Sequence, residues 1–102
     1  MKENKPLKRL EYSLTHGNIW LAALSIIHKR KAYAYALPDE ISRTFGYQPS
    51  KLMTYFVLYK LEAEKLISSK FEGRRKYYAL TPDGKRALSD GKKMLLAMSK
   101  KL

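Results

Sequence analysis

Residues 50–84 read SKLMTYFVLYKLEAEKLISSKFEGRRKYYALTPDG, and three changes of pattern inside them decide the fold. Pro49-Ser50 opens a helix, because a serine hydroxyl accepts from the unpaired amides of a first turn. That helix carries the leucine-glutamate step Leu61-Glu62. From Ile67 the periodicity turns from helical to alternating. Ile67, Ser69 and Phe71 share one face, Tyr78 and Leu80 supply apolar positions on a return strand, and the ribbon is pinched at Glu72-Gly73-Arg74-Arg75. Thr81-Pro82 then restarts a helix, with a capping hydroxyl and a proline at its first position.

On the N-terminal side, Pro38 suits a first helical residue, Asp39 and Glu40 fall where the helix dipole favours acid, and Leu37, Ile41 and Phe45 are spaced by four. Gly46 is a left-handed cap, and Gly46-Tyr47-Gln48-Pro49 turns the chain into Ser50, giving a helix-turn-helix. Earlier still, Leu7, Leu10 and Leu14 predict a first helix from near Leu7 with one buried stripe. Thr15 predicts the cap of a stronger helix to about Lys29, in which Ile19, Ala22, Ala23, Ile26 and Ile27 repeat at three and four, Trp20 and Leu24 widen the apolar face, and His28-Lys29-Arg30-Lys31 complements the dipole.

After Thr81, Leu88, Gly91, Leu95, Met98 and Leu102 alternate steps of three and four, like a coiled-coil seam. The expected architecture is α+β and mostly α, a single domain over residues 1–102. It comprises a flexible basic arm at 1–6, a winged helix-turn-helix core at 7–81 with a two-stranded wing, and a dimerisation helix at 82–102 whose contacts are Leu88, Leu95, Met98 and Leu102.

With 102 residues there is room for one core and no second catalytic domain. Lys and Arg number 21 against 9 Asp and Glu, a net charge of +12, while 45% of residues are hydrophobic. That apolar content separates a folded basic protein from a disordered basic tail. The charge calls for a polyanion, either nucleic acid or anionic membrane. Membrane is the weaker candidate, since the longest mostly apolar run, residues 19–27, is about half of the roughly 20 residues needed to span a bilayer. The start Met1-Lys2-Glu3-Asn4-Lys5-Pro6 is no signal-peptide core, and without cysteine there is neither a disulfide framework nor a thiolate metal site, so a cytoplasmic, nucleoid-associated location is expected.

A helix followed at once by a basic-tipped hairpin presents one element to the DNA major groove and a second to the backbone beside it. Tyr55-x-x-Leu58-x-x-Leu61-Glu62, then Leu66-Ile67, then Arg75-Lys76-Tyr77-Tyr78-Ala79-Leu80-Thr81-Pro82-Asp83-Gly84 resembles the PadR-like family of winged-helix transcription regulators, over roughly residues 15 to 90. Lys65 stands where that pattern usually has glycine, and Met53-Thr54 replaces its usual Thr-Leu. The single helix beyond the wing looks like the short branch of the family, in which that helix builds a homodimer. The resemblance implies a repressor-type regulator, in some members released by a small aromatic or hydrophobic effector.

The same resemblance puts Thr54, Leu58, Leu61 and Lys65 on the inward face of the presented helix. Leu52, Phe56, Tyr59 and Ala63 form the opposite arc, bordered by Tyr55 and Lys60. For Phe56 and Tyr59, packing on the first helix or a partner outweighs contact with thymine methyls or sugars; for Tyr55 the family pattern favours DNA. The candidate DNA-binding set is Ser50, Lys51, Thr54, Tyr55, Tyr59, Lys60, Arg74, Arg75 and Lys76. Lys51 and Lys60 weigh evenly between phosphate contact and solvated charge, whereas Arg74, Arg75 and Lys76, projected by a tight turn, are the strongest candidates. His16 and His28 lack metal or catalytic partners in sequence, and no nucleophile elbow or phosphate loop is present, so the chain reads as a non-enzyme without cofactor or metal. Trp20, Tyr33 and Tyr35 read as core packing ahead of an effector pocket. The competing functions are a non-specific architectural DNA coat using the same fold, and a protein-protein module built on the apolar arc.

Overall fold

The computed structural model describes residues 4–102. In chain order the elements are α1 (Lys5–Leu14), α2 (Ile19–Lys29), β1 (Ala32–Tyr33), α3 (Leu37–Phe45), α4 (Lys51–Ala63), β2 (Ile67–Glu72), β3 (Arg75–Leu80) and α5 (Pro82–Lys101). Short 3-10 turns at His16–Asn18 and Ala34–Ala36 join α1 to α2 and β1 to α3.

Helix α2 is the hub. Its Ile19, Ala22, Ala23, Leu24, Ile26 and Ile27 are buried, and α3, α4, α5 and β3 all pack on it. The inward residues of α4, Thr54, Leu58 and Leu61, close the core together with Leu37, Ile41, Ile67, Tyr78 and Leu88. Phe45, the third of the four-spaced positions in α3, is 43% exposed.

The N-terminal helix departs from expectation in three ways. It begins at Lys5, because the Asn4 side chain accepts from the Leu7 amide at 2.8 Å and Pro6 sits in the first turn. Residues 5 and 6 are thus helical, and the rest of the expected arm, residues 1–3, lies outside the described residues. Leu7, Leu10 and Leu14 are about half exposed instead of buried, since α1 rests mainly on the 3-10 turn that follows it. Finally, Thr15 ends α1, its amide donating to the Tyr12 carbonyl at 3.2 Å and its hydroxyl to Glu11 at 2.7 Å, and α2 starts only at Ile19.

The sheet is antiparallel in the order β1-β3-β2: the two-stranded wing, β2 and β3, is present as expected, and the unexpected short strand β1 joins it at the base. Two residues are too few for an alternating pattern to show. β1 pairs Ala32 with Tyr78 and Tyr33 with Tyr77, while β2 and β3 run in register from Ile67–Leu80 to Glu72–Arg75. The two-residue tip has Gly73 at φ +62 and no positive φ at Arg74, the pattern of a turn with glycine first.

The base of the wing is the tightest place in the molecule. Helix α4 ends with Lys65 at φ +62, its amide donating to Glu62 at 2.9 Å and the Leu66 amide to Leu61 at 3.0 Å. That is a Schellman cap, and a left-handed residue there explains the glycine of the resembled pattern. From the other strand, the Thr81 hydroxyl donates to the Lys65 carbonyl at 2.7 Å and accepts from the Gly84 amide at 3.0 Å, while the Thr81 amide donates to the Leu66 carbonyl at 3.1 Å. A Cβ on Gly84 would stand 3.0 Å from the Leu66 carbonyl carbon and closer still to its oxygen.

Beyond this junction α5 lies on α2. Leu88 is buried in the protomer's own core, and a Cβ on Gly91 would meet Leu21 at 3.1 Å and Trp20 at 3.4 Å. Those two seam positions are therefore occupied within the protomer and closed to a partner. From residue 92 onward α5 is exposed throughout, including Leu95, Met98 and Leu102. The overhanging helices stretch the chain to 49 × 25 × 20 Å with a radius of gyration of 14.6 Å, above the roughly 13 Å of a compact domain this long.

Gly84→Ala is expected to destabilise the fold by about 2 kcal/mol, since backbone must move to admit the methyl. Lys65→Gly, relieving the left-handed lysine, should stabilise it by about 1 kcal/mol. Urea unfolding midpoints measure both, and a Gly84→Ala midpoint equal to that of the parent chain would remove the junction from the account.

Candidate nucleic-acid interface

Ser50 caps α4, accepting from the Met53 amide at 3.3 Å, and the next residue, Lys51, is exposed at the helix N-terminus. Backbone amides and a cation meet there, a combination suited to phosphate. Of the outward arc, Leu52 is 77% exposed, Phe56 50% and Tyr59 71%. Phe56 and Tyr59 are therefore largely uncovered within the protomer. The Lys60 ammonium lies 5.2 Å from the Phe56 ring centroid.

Thr54 is fully buried, its hydroxyl donating to the Ser50 carbonyl at 2.8 Å, so it braces the first turn of α4 and cannot touch DNA. Its place on the inward stripe, four residues before Leu58, is the signal that removes it from the DNA-binding set.

The wing tip carries Arg74 and Arg75, both exposed. Arg75 sits over the Tyr33 ring at 5.0 Å. Lys76 is no tip residue. It is half-buried on β3, 3.4 Å from Glu62 of α4 and 5.3 Å from the Tyr78 ring. Glu62 also accepts from the Ser69 hydroxyl of β2, so one carboxylate ties the presented helix to both strands of the wing. Burial alone would lower the Lys76 ammonium, but Tyr78 and Glu62 outweigh it and hold its pKa above the ordinary 10.5.

Between α4 and the wing lies a cleft of about 320 Å³ whose walls include Tyr33, Tyr35, Tyr55, Phe71, Arg74 and Lys76. Tyr35 is 68% exposed and meets Tyr55 edge to face at 5.6 Å, and Tyr33 meets Tyr35 at 5.8 Å. Tyr33 and Tyr35, expected in the core, thus join Tyr55 beside the basic tip. Local sequence carries no signal for this, because β1 is two residues long and is placed by its pairing with Tyr77 and Tyr78.

A second, more apolar hollow of about 610 Å³ runs along the other side of α4, between Trp20, Val57, Lys60, Leu66 and Ala87. The turn before α4 is held from the N-terminal side. His16 stacks on Tyr12 at 5.6 Å, meets the Tyr47 ring at 4.9 Å and lies 3.2 Å from the Gln48 carbonyl oxygen, while burial pushes the Tyr47 phenol up. Among the described residues, no group of three or more His, Asp or Glu could hold a metal, and no helix is long and apolar enough to cross a membrane.

The model of the Transcriptional regulator PadR-like family matches residues 23–90. Among solved structures, a PadR family transcription regulator from Clostridium difficile is 27% identical, with a TM-score of 0.76 over 82% of this chain and 93% of that one. A PadR-like transcriptional regulator from Bacillus cereus is 25% identical, with a TM-score of 0.75 over 89% and 91%. A PadR family transcriptional regulator from Eggerthella lenta shares the fold at 23% identity and a TM-score of 0.80, over 92% and 86%. No curated protein matches the chain.

The Lys76–Glu62 pair sets a pH dependence. A raised lysine pKa contributes stability that is complete below the unfolded value and is lost as pH rises through the folded one, so the pair holds across neutral pH and loosens only in alkali. Glu62→Gln should move the Lys76 midpoint downward, because burial then acts against the charge with less opposition. Nζ chemical shifts followed through an alkaline titration measure this, and an unmoved midpoint would detach Glu62 from the wing.

Proposed function

The chain belongs to the PadR-like family of transcriptional regulators, DNA-binding proteins and not enzymes, and from that premise we propose that it acts as a homodimeric, sequence-specific repressor. The observation that carries this reading is the meeting of α4, through Tyr55, with the tyrosine cleft and Arg74 of the wing, with Leu52, Phe56 and Tyr59 of the outward arc exposed. α4 enters the major groove, with Ser50 and Lys51 on phosphate at its first turn and Tyr55 at its wing-side border. Tyr59 and Lys60 follow one turn later, and Arg74 and Arg75 hold the flanking backbone or minor groove. Lys76 acts indirectly, by fixing the wing against α4.

Two apolar stripes support the dimer. Leu95, Met98 and Leu102 on α5 and Leu7, Leu10 and Leu14 on α1 are all at least 45% exposed, an amount of bare aliphatic surface that a soluble protomer covers with a partner. Pairing these helices sets two α4 helices about 34 Å apart, one DNA turn. The apolar hollow beside Trp20 is the place for a small hydrophobic effector.

A net charge of +12 also suits a non-specific architectural coat. Titration of a selected promoter and of random DNA at one salt concentration separates the two, because a regulator's specificity ratio is at least about 10³.

Arg74→Ala with Arg75→Ala should weaken binding to any duplex and reduce the slope of log K against log salt by about 0.9 for each phosphate no longer neutralised. An unaltered slope would exclude the wing tip from the interface. Leu95→Lys with Met98→Lys should yield a monomer by sedimentation equilibrium and a large drop in affinity for a two-half-site operator. A dimer that survives both charges would place the interface elsewhere.

A further inference from the structure

The outward face of α4 carries little of the usual hydrogen-bonding equipment for reading bases. Residues 51–63 include no Arg, Asn or Gln, and of the side chains that pair bidentately with guanine or adenine edges only Lys51, at the helix start, and Lys60 are present. Thr54 is buried, and Glu62 is engaged by Ser69 and Lys76. Lys60 is drawn over the Phe56 ring. What the face presents at its entry is Leu52 at 77% exposure and Phe56 at 50%, one turn apart, with Met53 beside them at 47% and Tyr59 following at 71%.

In the major groove, one base feature is read by apolar contact, the C5-methyl of thymine. Resting on the reading of α4 as the element in that groove, we propose that the protein recognises thymine-rich duplex through these methyl groups, with Leu52 and Phe56 as the reading side chains. Charge complementarity fixes duplex DNA as the occupant of this apolar face. Lys51 at the helix start and Arg74 and Arg75 at the wing flank it on a chain of net charge +12, whereas an apolar protein partner would have no use for that frame. Phosphate contacts supply affinity here, and van der Waals fit to methyls supplies selectivity.

The test is an exchange of thymine for uracil, which removes the methyl and leaves Watson-Crick pairing and charge intact. A duplex selected from a random pool is synthesised with deoxythymidine and again with deoxyuridine, and both are titrated at several salt concentrations. Each methyl buried against a side chain is worth about fourfold in affinity, so two such methyls predict a weakening of about tenfold or more with the salt slope unchanged. Leu52→Ala with Phe56→Ala removes solvent-exposed groups and is expected to keep the urea midpoint; in this variant the thymine-to-uracil ratio should fall towards one.

Equal affinity for the two duplexes, with salt-dependent binding retained, overturns methyl reading and leaves the regulator intact. A selected site without clustered thymines overturns it as well. So does a double variant whose ratio stays at the parent value, or one that changes oligomeric state, which would make this face an interface between copies. Absence of salt-dependent binding to any duplex overturns the regulator reading together with this one.

Discussion

The carbonyl of Leu66 is where the molecule is held together. It accepts from Thr81, and the backbone of Gly84 crosses it with no room for a Cβ. Four elements end or begin within a few residues of that oxygen: α4 finishes, β2 starts, β3 finishes and α5 starts. Its geometry therefore fixes the angle of the presented helix to the wing and the direction in which α5 leaves the body. A displacement at this point has little loop to absorb it, because only residues 64–66 separate helix from strand and the left-handed Lys65 sits in the middle of them. Glu62, one turn earlier, repeats the restraint with side chains, binding Ser69 and Lys76 on the two strands. Helix α4 and the wing are thus held in one arrangement by backbone and side chains together.

Much of this was legible in the sequence, for identifiable reasons. Ser50, Pro38, Gly46 and Thr81 mark helix ends through local hydrogen bonding and backbone conformation, which depend on neighbours within a few residues. The α2 face was legible because five apolar residues repeat on one side. Thr15 failed for the same local reason that it appealed, since a hydroxyl that can cap a following helix can also close the preceding one, and here it bonds back to Glu11. β1 could not be seen, because its two residues exist as a strand only through Tyr77 and Tyr78 on the far side of the sequence. Tyr33 and Tyr35 were misplaced through the same blindness. Whether an aromatic is core or surface at this site depends on where the wing folds back.

The terminal helices show a different limit. The spacing of Leu7, Leu10 and Leu14 and of Leu95, Met98 and Leu102 signals apolar surface that needs covering, but periodicity does not say by which chain. Within the protomer α2 covers only the first part of α5, down to Gly91, and α1 stays bare. Small domains bury a modest share of their surface, and here two such stripes stay open within the protomer. In the proposed dimer, stability and concentration are linked, as in any protein whose fold is completed by a partner.

Helix α4 is apolar on nearly all sides, a composition ordinarily met in helices buried all round. Only its inward stripe is buried here. An exposed face of this kind invites association between copies, and the opposing force within the chain is like charge. Lysine and arginine surround the arc, at Lys51, Lys60, Arg74 and Arg75, so two such faces approaching each other in water meet repulsion. Phosphate reverses the sign of that term. The cations that oppose the approach of a second α4 favour that of a duplex. On the reading proposed for α4, charge selects the class of partner, and the helix face is left to discriminate among sequences within it.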